Sequence, residues 1–435
     1  MLQQVLFPLI ILVSIFLIGL IFFRRMSLGL LLIISAIAAS LVAGMGIPLR
    51  HIVQGTFVYF NVILIVITGM IFLKVLEDSG SVAAISKSLV VRLYRHPKWL
   101  LITIVVLLLI PGMLTGVAVT SVLSVGILVA PILIAIGIPP VTTAAIIALV
   151  SALSMVAPPT NLLGMIMALG INAPYEGFEL PSFILSVPLA IILGFFMGGH
   201  YVKVTDKQII LNALPKTRKE ISTFMAWLPL IVVIGLMTII RIFPKLIPDL
   251  GTPLVFSIGA IIGLFTAGKV NLLHTAKKAL SGPMLTVVEI LVGAGIFLQL
   301  ITLVGIRGLL VVSSLSLPDV LAYAAASVSL VLASGFLSPF GSTSIFGVPF
   351  ALFFLGKNQI VVITALSLMA AVGQLAPPAA IAGRFSAQIC KVKSFNMVLK
   401  KSILWMVILL IIAILVILFS EYFALIISFI RGIYQ

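Results

Sequence analysis

A chain of 435 residues that is 62% hydrophobic and only 8% charged cannot coat a soluble surface, for which roughly 25% charged residues are usual. Its composition excludes a water-soluble globular protein and leaves lipid as the main solvent. The 26 Lys and Arg against 10 Asp and Glu would hint at nucleic acid on a soluble chain, but here they report topology, because basic residues collect in cytoplasmic loops.

Apolar stretches long enough to cross about 30 Å of hydrocarbon run over residues 2–23, 27–48, 54–74, 141–170, 182–202, 225–243, 252–268, 282–304, 359–390 and 402–430. These are ten expected crossings of an all-α polytopic membrane protein. The first is followed by Arg24 and Arg25 and has no basic region before it, so it is expected to stay as a span and not to be cleaved. Two further stretches, 99–136 and 319–355, are too long for one simple helix and carry Gly, Pro, Ser and Thr at their centres. They are expected to be re-entrant hairpins, since irregular backbone at membrane depth survives only against protein or a water-filled cavity.

Charge tests this threading. With the N-terminus outside, Arg50, Arg241, Lys245, Arg307, Lys357 and Arg431 fall outside and Arg384 falls within a span, leaving 19 of the 26 basic residues on the cytoplasmic side. The bias predicts both termini on the outer face. The single Cys390 excludes an internal disulfide.

The sequence also repeats itself. APPTNLLG at Ala157–Gly164 returns as APPAAIAG at Ala376–Gly383, and PGMLTGVAVTS at Pro111–Ser121 returns as SGFLSPFGSTS at Ser334–Ser344. A short amphipathic stretch precedes each hairpin, at 80–95 and 305–317. The first repeat (1–203) and the second (225–435) flank a basic linker at 204–224, and each holds five crossings. Five is odd, so the second copy is expected upside down relative to the first. Inverted repeats typify secondary transporters, whose hairpin tips and broken helices meet near mid-membrane. A single Pro-Pro pair would read as a simple kink; two with matched flanks read as paired breaks.

Two successive prolines split a helix and free carbonyls. Freed carbonyls and nearby hydroxyls make a hard oxygen cage suited to Na⁺. The Na⁺ candidates are Gly116, Pro158, Pro159, Thr160, Gly341, Ser342, Pro377 and Pro378, mainly through backbone carbonyls. Substrate candidates are Arg384, Thr120, Ser121, Thr343, Ser344 and Asn161. The alternative use of these small residues is close helix packing. Among the acidic residues only Glu289 lies well inside a span, and the four His fall at span ends or in loops, which favours Na⁺ over H⁺ as coupling ion. Arg384 is a candidate to hold a substrate carboxylate; pairing with Glu289 and snorkelling to the interface are its other readings.

No organic cofactor and no enzyme is expected. GLFTAGKV at Gly263–Val270 resembles a phosphate loop only as far as the Lys, with Val270 in place of the hydroxyl that Mg²⁺ needs. Neither a nucleophile elbow nor a His-Glu metal helix is present in the sequence.

At GMLTGVAVTSVLSVGILVAP with SALSMVAPPTNLLG, and at SGFLSPFGSTS with AVGQLAPPAAIAG, the chain resembles the large membrane subunit of TRAP (tripartite ATP-independent periplasmic) transporters, within the ion transporter superfamily. The likeness extends over most of the chain. It implies an elevator mechanism in the bacterial inner membrane, carrying Na⁺ and a C4-dicarboxylate-like or sugar-acid substrate. It also implies two partners, a small membrane subunit and a periplasmic substrate-binding protein. The family's first motif usually reads Ile-Pro-Pro-Ser where this chain has Ala157, Pro158, Pro159 and Thr160, and its second often continues Val-Gly where this chain has Ala379 and Ala380. The family's Phe-Thr-Pro-Thr-Glu segment is replaced by PDLGTPLV at Pro248–Val255. A stand-alone, ion-coupled anion permease of the same superfamily is the alternative, and a channel or embedded enzyme is the reading from another class.

Overall fold

The computed structural model describes residues 2–23, 26–214, 221–243, 247–266 and 270–434. Arg24, Arg25, Lys245, Lys269 and the 215–220 part of the linker lie outside the described residues. The first half contains α1 (Leu2–Phe22), α2 (Leu28–Val42), α3 (Leu49–Phe57), α4 (Phe60–Asp78), α5 (Ser81–Leu93), α6 (Pro97–Thr115), α7 (Ala118–Ser121), α8 (Ile127–Ala135), α9 (Pro140–Ser154), α10 (Leu162–Gly170), α11 (Glu179–Ile184) and α12 (Val187–Gly198). After α13 (Lys207–Ala213) come α14 (Thr223–Ile242), α15 (Gly251–Thr266), α16 (Leu272–Ala279), α17 (Pro283–Leu303), α18 (Ile306–Leu315), α19 (Asp319–Ser342), α20 (Val348–Phe353), α21 (Gln359–Val372), α22 (Ile381–Ile389), α23 (Phe395–Leu418) and α24 (Ser420–Tyr434). A π-helical turn, Val122–Gly126, joins α7 to α8, and a second, Thr343–Gly347, joins α19 to α20.

Every regular element among the described residues is helical, and nine helices there are long and apolar enough to cross a membrane. This is the make-up of a polytopic membrane protein, in which helices satisfy their own backbone groups away from water.

Several expected boundaries move. The 54–74 stretch is two helices, because the chain leaves helical geometry at Tyr59 (φ −105°, ψ 24°) between α3 and α4. The 402–430 stretch divides into α23 and α24 at Phe419 (φ −101°, ψ 28°). α23 begins earlier than expected because Ser394, in extended geometry, caps it by accepting from the Asn396 N–H at 3.3 Å. The 27–48 stretch holds only the 15 residues of α2, about 22 Å at 1.5 Å per residue, before Gly44 and Gly46 turn the chain with positive φ. The two amphipathic stretches form α5 and α18, each entered through a left-handed glycine, Gly80 (φ 83°) and Gly305 (φ 85°).

The helices sort into two groups. α1–α4 pack with α14–α17, while α6–α10 and α12 pack with α19–α23. Within the first group α2, α3 and α17 touch backbone to backbone: a Cβ on Gly293 would meet the main chain of Gly29, and one on Gly295 would meet the carbonyl of Gly55. Small residues are what permit such approach in membranes. The groups meet along a seam where α4 lies on α6, α17 on α19 and the second π turn, and α18 on α20.

Candidate functional site

The first break follows α9. Pro158 and Pro159 are joined by a cis bond and are half-buried, whereas Thr160 and Asn161 are fully buried. Asn161 caps α10 by accepting the Gly164 N–H at 2.9 Å, as a short side-chain carbonyl does at an N-cap, and it donates to Ser182 at 3.3 Å. The Thr160 hydroxyl donates to the carbonyl of Met113, one of the carbonyls that the end of α6 leaves without a helical partner. Because Thr160 gives its one proton to Met113, both its lone pairs remain for a cation. Gly116 (φ 67°) turns the first hairpin, and a Cβ there would run into Leu162, so the hairpin tip rests on the start of α10. The Thr120 hydroxyl lies 2.7 Å from that of Thr115 and 2.6 Å from the Val117 carbonyl. Ser121 accepts the Gly112 N–H at 2.8 Å and lies 3.1 Å from Ser154.

The second break follows α21. Pro377 and Pro378 are also joined by a cis bond, and Ala380 takes a left-handed conformation (φ 45°) as α22 begins. The Ala379 N–H donates to the Gly335 carbonyl at 3.1 Å, and a Cβ on Gly335 would meet the Pro377 carbonyl. This hairpin turns at Ser338 (φ 63°) and not at Gly341. The residue before a proline is held out of the α region, so Pro339 ends the inward arm one residue ahead of itself. Gly341 therefore sits buried in the return arm, which places this Na⁺ candidate away from the tip. Ser342 donates to the Leu330 carbonyl at 2.9 Å, Thr343 lies 2.9 Å from the Pro339 carbonyl, and Ser344 meets Tyr59 Oη at 2.9 Å.

The two assemblies interlock. α10, after the first break, packs on α19, α20 and the second π turn; α22, after the second break, packs on α7, α9 and the first π turn. Each post-break helix thus touches the hairpin of the other half.

Arg384 is exposed, as are Pro377 and Pro378, and its Nη2 donates to the Pro378 carbonyl at 2.6 Å. The expected alternative, a salt bridge to Glu289, is not formed. Glu289 lies on α17 in the other helix group, with Oε1 buried and without a hydrogen-bond partner. The guanidinium also changes the second cation candidate: with Arg384 on the Pro378 carbonyl, the local charge there favours an anion. Among the described residues no three His, Cys, Asp or Glu side chains assemble a metal site, so a cation at the first break would be held by neutral oxygens.

Sequence reasoning passed over Tyr59, Arg307, Thr115 and Ser154. Arg307, expected in an outer loop, donates to the carbonyl of Gly170 at the C-terminal end of α10, where a positive charge complements the helix dipole. Its place two residues after Gly305, at the start of α18, was the available signal; Tyr59 had none. No family model matches the chain, and no curated protein matches it.

Proposed function

We propose that the chain is a secondary active transporter, the membrane subunit of a TRAP-type system that takes up a carboxylate on a Na⁺ gradient by an elevator motion. The single observation that carries this reading is the interlocked pair of breaks: each Pro-Pro segment lies on its own hairpin, and each post-break helix lies on the other one. Two copies of opposite orientation, residues 1–203 and 225–435, account for that exchange. The group of α6–α10 with α19–α23 is the moving unit, and the glycine-locked group of α1–α4 with α14–α17 is the scaffold.

In this reading the first break takes Na⁺ on Thr160 and neighbouring carbonyls, and Arg384 takes the carboxylate. A carboxylate offers a guanidinium a charge-assisted bond stronger than the neutral one to the Pro378 carbonyl. Substrate arrival therefore draws Arg384 off that carbonyl and removes its positive charge from the second break, which again becomes a cation candidate. Substrate and cation then favour each other's binding, which is the thermodynamic requirement of symport.

The replaced Phe-Thr-Pro-Thr-Glu segment, PDLGTPLV at Pro248–Val255, supports a second reading, a stand-alone anion permease that needs no small subunit or binding protein. Reconstitution separates the two. Under the first reading, purified chain alone in liposomes gives no carboxylate uptake on a Na⁺ gradient, and adding both partners restores it. Uptake by the chain alone establishes the second, and flux that ignores the ion gradient contradicts both.

A further inference from the structure

The scaffold and the second hairpin do not close on each other completely. Between them lies a cavity of about 260 Å³ with no polar lining. Leu12 of α1 and Phe297 of α17 wall it on the scaffold side, Leu310 of the neighbouring α18 beside them, and Leu337, directly before the Ser338 turn, walls it on the hairpin side. Water has no partner there, and an apolar cavity of about 150 Å³ already stays dry and takes up a benzene-sized guest. This larger one calls for hydrocarbon.

Its mouth shows where that hydrocarbon comes from. Val13 and Leu17 line the cavity and are also 43% and 44% exposed, so the cavity opens sideways along α1. Among its described side chains the outer face of α1 is apolar, with Leu6, Phe7, Ile10 and Ile18 exposed. In a membrane that face meets acyl chains, and the opening is continuous with it.

We propose that this crevice is a lipid site, holding one acyl chain of a phospholipid from the surrounding bilayer between α1, α17, α18 and the tip of the second hairpin. A flexible chain fills the space that rigid side chains leave, and it lets the hairpin slide past the scaffold without opening a void, whose creation costs energy in proportion to its volume. The site itself rests on the apolar seam and stands whether or not the transported solute is a carboxylate; its role in sliding rests on the elevator reading.

The test uses the unaltered full chain in phosphatidylcholine vesicles containing a phosphatidylcholine with a diazirine near the end of one acyl chain. After photolysis, adducts are mapped by mass spectrometry of peptides. Label is expected on Phe297, Leu310 and Leu337 as well as on the outer residue Phe7. Label on Phe7 without label on Phe297 and Leu337 overturns the proposal, and includes the case in which a second copy of the chain plugs the crevice. A Leu12→Trp variant, which fills the space from α1, should lose the adducts at Phe297 and Leu337 and keep the one at Phe7. Undiminished label on Phe297 and Leu337 in that variant, eluting as the wild type does, also overturns it.

Discussion

The phenol of Tyr59 and the hydroxyl of Ser344 share a hydrogen bond of 2.9 Å between residues 285 positions apart. Tyr59 stands at the α3–α4 junction of the scaffold group, and Ser344 stands in the π turn of the second hairpin. Both are buried, so this bond and the one from Arg307 to the Gly170 carbonyl tie the two groups across their seam.

An elevator cycle must break that tie each time. Tyr59→Phe should lower the stability of the detergent-solubilised protein by about 1 kcal/mol, the usual net worth of one such bond, and should speed exchange of labelled carboxylate across proteoliposomes. Ser344→Ala should do the same, and the double variant should lose little more than either single one, since both remove one interaction. Additive losses would show that the two hydroxyls do not act on each other.

Arg384→Ala should abolish carboxylate uptake, and Arg384→Lys should restore only part of it, because an ammonium cannot offer the planar fork of a guanidinium. Stabilisation by Na⁺ in a thermal melt should persist in Arg384→Ala or grow, as a positive charge leaves the Pro378 carbonyl. Normal uptake by the alanine variant would take Arg384 out of the substrate site.

Thr160→Val keeps the shape and removes the lone pairs at the first break. It also leaves the Met113 carbonyl without its donor. A weaker Na⁺ response is expected, read as a higher Na⁺ concentration for half-maximal uptake, with Thr160→Ser close to wild type. An unchanged Na⁺ curve in Thr160→Val would remove this cation site.

The scaffold's rigidity depends on glycine contacts. Gly293→Ala drives a methyl group into the backbone of Gly29 and should cost about 1–3 kcal/mol, as overpacking does. Gly308→Ala, where an added Cβ meets nothing within 4 Å, should leave the melting temperature unchanged. Equal melting of the two variants would mean that α2 and α17 separate readily.

What the sequence disclosed follows from how local each signal is. The Pro-Pro breaks and the amphipathic α5 and α18 depend on residue types a few positions apart, so the order of residues alone reveals them. The turn at Ser338 is equally local, yet the nearby Gly341 is the more conspicuous turn residue; only the constraint that Pro339 places on its predecessor selects the right position. The division at Phe419 has no Pro or Gly to mark it. The partners of Tyr59 and Arg307 are set by tertiary packing between distant segments, whereas Arg384 bonds a carbonyl only six residues before it. Composition also hid the partnerless Glu289 oxygen, because the charge inventory that invited a pair with Arg384 carries no information on which helix group each residue joins.

In the proposed inverted repeat, α5 with its hairpin and α18 with its hairpin enter the membrane from opposite faces. In a Cys390→Ser background, single cysteines at Arg92→Cys, the exposed end of α5, and Ser316→Cys, just past α18, can be challenged with an impermeant maleimide in right-side-out and inside-out vesicles. Position 92 should react only from the cytoplasmic side and position 316 only from the opposite side. Reaction of both from one side would contradict the inverted repeat.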